Sequence, residues 1–84
     1  MHTVDLLKQA IRAAEELGYR VRYEYLGGSG GGACEFGGRK WIFVDLALNS
    51  IEQLDQVTRA LGEDSSIQTK ELPQQLQSHL RRAA

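Results

Sequence analysis

The chain reads as a single α+β domain: residues 1–84 in the order α-β-β-β-α-α, with a three-stranded antiparallel sheet packed against helices. Three observations predict this class. Apolar residues recur at helical spacing near both ends of the chain, they alternate strictly from Tyr19 to Tyr25, and a Gly37-Gly38 pair separates two short apolar runs. A length of 84 residues suits one domain with a small core, and a composition of 42% hydrophobic and 25% charged residues argues against disorder.

The first helix is expected over Thr3 to Leu17. Val4, Leu7, Ile11 and Ala14 form one stripe, widened by Leu6, Ala10, Ala13 and Leu17. Thr3 can cap its start, Asp5 suits the positive end of the helix dipole, and Gly18 suits a left-handed stop. A strand follows over Tyr19 to Leu26, with Tyr19, Val21, Tyr23 and Tyr25 on one face and Arg20, Arg22 and Glu24 on the other. Beyond the glycine run, Ala33 to Phe36 and Arg39 to Leu46 form a hairpin closed by Gly37-Gly38, a pair suited to a primed two-residue turn. That register sets Phe36 opposite Arg39, Glu35 opposite Lys40, Cys34 opposite Trp41 and Ala33 opposite Ile42. Ser50 to Gln53 reads as a capping box opening a second helix, with Ile51, Leu54, Val57 and Leu61 buried and Gly62 as the stop. A third helix is expected over Thr69 to Ala83, with Leu72, Leu76 and Leu80 on one stripe and Pro73 in its first turn.

Bulk properties narrow the function classes. A net charge of -1 gives no global attraction to nucleic acid or to anionic membranes. One cysteine cannot form an internal disulfide, no apolar run is long enough to span a bilayer, and the first residues lack the apolar core of a signal peptide. A cytoplasmic protein is the resulting expectation.

The last strand is apolar on both sides. Ile42, Val44 and Leu46 point one way, and Trp41 and Phe43 point the other, beside Cys34 and Phe36 across the hairpin. Helices covering one sheet face leave an apolar face over, and a large exposed apolar patch is usually a contact surface. Either that face meets a second copy or a protein partner, or the C-terminal helix folds back over it.

Seven of the nine glycines lie between Gly27 and Gly38, bracketing Cys34. Successive backbone N–H groups in such a loop can cradle an anion, with Gly28, Ser29, Gly30 and Gly31 as candidates. Arg39, with Arg20, Arg22 and Lys40, would supply cations, and Cys34 would be the thiol if the site were reactive. The phosphate-loop and dinucleotide patterns both require a helix after the loop, and here a strand follows. His2 and His79 stand at opposite ends of the chain, so no metal-ligand spacing exists and neither a metal nor a cofactor is expected. Glu24, Glu35 and Asp45 read as strand-surface charges, Asp45 as a strand-end turn former. The alternation on the first strand separates its arginines from its tyrosines, which disfavours a nucleic-acid platform.

The stretch Gly27 to Cys34, with Gly38-Arg39-Lys40-Trp41-Ile42-Phe43-Val44-Asp45 and Glu52-Gln53-Leu54, resembles a small bacterial family that brings no established activity. The strand-strand-helix order is also similar to the opening of compact zinc-peptidase domains, whose helix carries HExxH; Ser50 to Leu61 contains no histidine, so this likeness implies fold alone. The resulting expectation is a non-enzymatic domain that binds itself or another protein through Phe36, Trp41 and Phe43. The alternative is a small-anion or thiol-dependent site at Gly27–Gly32 and Cys34.

Overall fold

A computed structural model describes residues 2–28, 31–64, 72, 74, 76 and 77. Its elements are α1 (His2–Glu16), β1 (Arg20–Glu24), β2 (Gly32–Phe36), β3 (Arg39–Asp45) and α2 (Ser50–Gly62). The class is α+β. The third helix expected over Thr69 to Ala83 lies largely outside the described residues.

The sheet corrects the expectation of an all-antiparallel arrangement. Strand order is β1-β3-β2, with β1 parallel and β2 antiparallel to β3. The reason lies in the side chains of β3. It is the one strand apolar on both faces, and a strand buried on both faces belongs in the middle of a sheet. The chain therefore leaves the end of β1, crosses the end of β3, descends as β2, and returns through the hairpin into the central slot.

The hairpin has the expected register, from Phe36 opposite Arg39 to Ala33 opposite Ile42. Gly37 and Gly38 have φ of 61° and 75°, the paired positive values of a type I′ turn. Gly18, at φ 95°, ends α1 as expected. The amide of Gly18 donates to Glu15 O and that of Tyr19 to Ala14 O, the paired bonds of a Schellman cap.

Helix α2 starts one residue earlier in its capping logic than the sequence suggests. Asn49, not Ser50, is the N-cap: its side chain accepts from Glu52 N at 2.9 Å, and Glu52 Oε1 accepts from Asn49 N at 3.0 Å. Asparagine caps as well as serine, and a glutamate at the third position closes the box with full charge. Ile51 then falls on the outer side and is 66% exposed, against the expectation of burial. Gly62 is the last helical residue rather than a left-handed stop, and Glu63 caps in the right-handed region at φ -88°.

Leu6, Leu7, Ala10, Ala13 and Ala14 of α1 pack with Leu54, Val57, Ala60 and Leu61 of α2 over Ile42 and Val44. Val4 is exposed rather than part of the stripe, and Leu46, one residue past the strand, does not continue the Ile42–Val44 row. Leu76 is 0% exposed within this same core, with Leu72 packed against it. The described part of the C-terminal segment therefore sits on the helix side of the sheet.

A polar cluster closes the lower end of that side. Tyr19 OH donates to Asp64 Oδ2 at 2.6 Å, Lys40 Nζ approaches the same oxygen at 3.4 Å, and Lys40 lies 4.6 Å from the Tyr19 ring centre. Lys40 is thus turned toward Asp64 rather than toward its cross-strand neighbour Glu35. Burial, and then the hydrogen bond to the Asp64 carboxylate, push the Tyr19 hydroxyl up from 10 to about 12. The unfolded chain releases this proton first, so the folded state binds more protons between those values and stability falls as pH rises through them. We expect the melting temperature to drop between pH 10 and 12, and Tyr19→Phe to flatten that drop. Part of the slope should remain, because Tyr23 is shifted the same way by burial and by the Glu15 carboxylate.

Candidate functional site

The sheet face turned away from α1 and α2 is set by strand periodicity and register. Trp41 and Phe43 of β3 point away from the helices. Gly32, Cys34 and Phe36 flank them on β2, and Arg20, Arg22 and Glu24 flank them on β1. Phe36 and Trp41 stack with centroids 5.6 Å apart and planes 8° from parallel; Trp41 and Phe43 stack at 6.2 Å and 15°. The three rings form a ladder running diagonally from β2 onto β3. Trp41 and Phe43 are half-buried, and Phe36, on the edge strand, is 59% exposed. Trp41 Nε1, inside the ladder, is buried with no acceptor among the described residues.

Charge surrounds the ladder. Arg22 Nη2 pairs with Glu24 Oε2 at 2.8 Å on an exposed surface. Arg20 and Arg39 make no ion pair among the described residues and line a cleft of about 480 Å³ with Gly18, Gly37, Gly38 and Lys40. Tyr23, the one tyrosine of the expected strand that falls within β1, does lie on the opposite face, in register with Val44. The arginines are nonetheless not separated from every aromatic, because Arg20 is in register with Trp41 and Arg22 with Phe43. That neighbourhood was hidden in the sequence because it depends on β1 pairing with β3 and not with β2.

The glycine loop is built around Asp45. This residue ends β3, under the place where the chain crosses from β1 to β2, and is 0% exposed. Its Oδ1 accepts from Leu26 N at 3.0 Å and Ala47 N at 2.9 Å, and its Oδ2 accepts from Gly28 N at 2.7 Å. Alternate amides at 26 and 28 closing on one carboxylate are the geometry by which a backbone nest holds an anion. Here the anion is the protein's own side chain. Gly27 and Gly28, at φ 74° and 88°, give the loop the left-handed turns that bring those amides inward. The sequence marks Asp45 only as a turn former; its larger role follows from the crossover, which local sequence does not show.

The residues proposed for a loop site are dispersed. Gly28 donates to Asp45, and Gly31 packs so closely on α2 that a Cβ there would meet the Gln56 amide. Ser29, Gly30 and His79 lie outside the described residues. Arg39 lies at the far end of β3, four residues from Phe43, or about 13 Å along the strand from the Gly32 end. Cys34 is exposed at the middle of β2. The groove of about 680 Å³ between the loop and α2 carries Glu52, Asp55 and Glu63 against Arg59, which pairs with Asp55 at 3.1 Å. That balance repels an anion.

Among the described residues no group of three or more His, Cys, Asp or Glu is placed to hold a metal ion. No described helix is long and apolar enough to cross a membrane. No protein-family description, curated protein or solved structure matches the chain, so the functional reading rests on geometry.

Proposed function

We propose that the protein is a non-enzymatic interaction domain that self-associates, with the Phe36–Trp41–Phe43 ladder contributing to its contact surface. The observation that carries this reading is the position of the ladder: it lies on the sheet face away from α1, α2 and Leu76, and ends in an exposed phenylalanine on an edge strand. Aromatic residues and arginine dominate the energetics of protein contacts, especially where an apolar centre is rimmed by charge. Here Arg20, Arg22 and Glu24 supply that rim.

Phe36→Ser tests the reading by light scattering. The substitution is on the monomer's surface, so its folding cost is confined to the lost stack on Trp41, about 1 kcal/mol. Self-association should weaken by about tenfold or more, as expected for removing an aromatic anchor. Association equal to that of the wild type would remove this face from the contact.

One observation favours a second reading. Arg20 and Arg22 share the face with Trp41 and Phe43, and cations beside aromatic rings are what single-stranded nucleic acid binds through stacking and phosphate contacts. On this reading an oligothymidine quenches Trp41 emission with an affinity that falls steeply with salt. Emission unmoved by the oligonucleotide at low salt removes it.

A further inference from the structure

We propose that two copies of this chain pair edge to edge through β2, antiparallel about a two-fold axis at Cys34, to make one six-stranded sheet. This rests on the self-association reading and names its geometry.

The first argument is where the backbone of β2 points. In a hairpin closed by a two-residue turn, the flanking residues exchange both hydrogen bonds, and bonded pairs then alternate. With Phe36 opposite Arg39, residues 36, 34 and 32 turn their N–H and C=O groups to β3. Ala33 and Glu35 turn theirs outward, where no hydrogen-bond partner exists among the described residues. An unpaired edge of this kind is a template for another strand. The opposite edge, β1, alternates Arg20, Arg22 and Glu24 along its open face, the sort of charge that blunts an edge; β2 carries Glu35 alone and no proline or lysine.

The second argument is register. Only residues 33 and 35 offer outward groups. Centring the two-fold on Cys34 sets Ala33 of each copy against Glu35 of the other and uses all of these groups in four hydrogen bonds. Centring it on Glu35 would oppose two carboxylates. Centring it on Ala33 would carry Phe36 past the start of the partner strand.

The third argument is fit. In the Cys34-centred register Phe36 lies opposite Gly32 of the second copy. Nothing stands within 4 Å of where a Cβ of Gly32 would be, so that space is open. Gly32 is in register with Phe43, so the incoming Phe36 ring lands beside Phe43 and extends the aromatic ladder across the axis. An aromatic ring over a cross-strand glycine is a favourable pairing. One arrangement thus pairs the unpaired edge and covers the most exposed ring of the ladder.

Three measurements on the full chain test the proposal. Amide hydrogen exchange at Ala33 and Glu35 should slow as protein concentration rises, while amides facing β3 stay unchanged. Glu35→Pro removes an outward N–H that the hairpin does not use, and should weaken association by about tenfold or more while leaving the circular dichroism of the dilute protein unaltered. Cys34 of one copy lies directly opposite Cys34 of the other in a non-bonded pair. Diamide, which takes up the two protons and two electrons released as the disulfide forms, should therefore give covalent dimer faster in the native protein than in denaturant. This last readout stands even if Glu35→Pro fails to fold. A dimer with no concentration-dependent protection at 33 and 35, and no native enhancement of the Cys34 cross-link, overturns the edge register and leaves self-association through another surface. A monomer at all concentrations overturns both. A monomer whose 33 and 35 amides are already protected shows the edge to be covered by the chain itself.

Discussion

Replacing Asp45 with alanine should bring the protein close to unfolding. The carboxylate is buried and accepts from three backbone amides, at 26, 28 and 47. Hydrogen bonds to a charged group contribute more than neutral ones, and each buried donor left without an acceptor costs about 1–3 kcal/mol. Some of the orphaned amides can be rescued by water entering as the loop relaxes, so a loss of about 4 kcal/mol is expected. For a domain of this length total stability is only about 4–13 kcal/mol. Asp45→Asn sharpens the test. It keeps the shape and one acceptor oxygen but turns an NH₂ group toward a backbone donor, so most of the loss should remain. Urea denaturation measures both variants. An unfolding free energy within about 1 kcal/mol of wild type for Asp45→Ala would mean that the crossover is not pinned through this side chain.

The second large effect is expected at Leu76. This side chain is 0% exposed in the core formed by α1, α2 and the inner face of β3. Truncation to alanine removes buried methyl groups and leaves a cavity, at a cost of about 3 kcal/mol. Leu76 itself sits on the helix side of the sheet, away from Phe36, Trp41 and Phe43. A Leu76→Ala protein as stable as wild type would contradict the burial of this side chain in that core.

Much of this architecture is legible in the sequence where one local signal dominates. Helix α1 follows from its apolar period and Gly18, and the hairpin register follows from Gly37-Gly38, because a two-residue loop leaves no freedom to slip. The helix cap falls at Asn49 and not at the expected Ser50; both residue types cap helices well, and Glu52 closes the box on Asn49. The parallel pairing of β1 with β3 was missed, although its cause was visible in the two-sided apolar pattern of Trp41, Ile42, Phe43 and Val44. Once β3 is central, a glycine-rich connection must cross its end, and a carboxylate at that end is a natural receiver for the loop's amides. Asp45 was therefore within reach of the sequence, but only after topology, which is a tertiary outcome. The neighbourhood of Arg20 and Arg22 with Trp41 and Phe43 depends on the same pairing.

The aromatic ladder was legible because strand alternation separates Trp41 and Phe43 from Ile42 and Val44 whatever the topology. The partner of the loop amides was not, because a run of glycines specifies conformational freedom and not what fills the resulting nest. In this fold Asp45 fills it at Leu26 and Gly28.

Sedimentation equilibrium of the unmodified chain across the micromolar range reads the association itself. The average mass should climb with concentration from the monomer's 9.4 kDa toward that of a pair. A mass fixed at 9.4 kDa throughout would contradict the central claim, since neither the aromatic ladder nor the β2 edge would then meet a second copy.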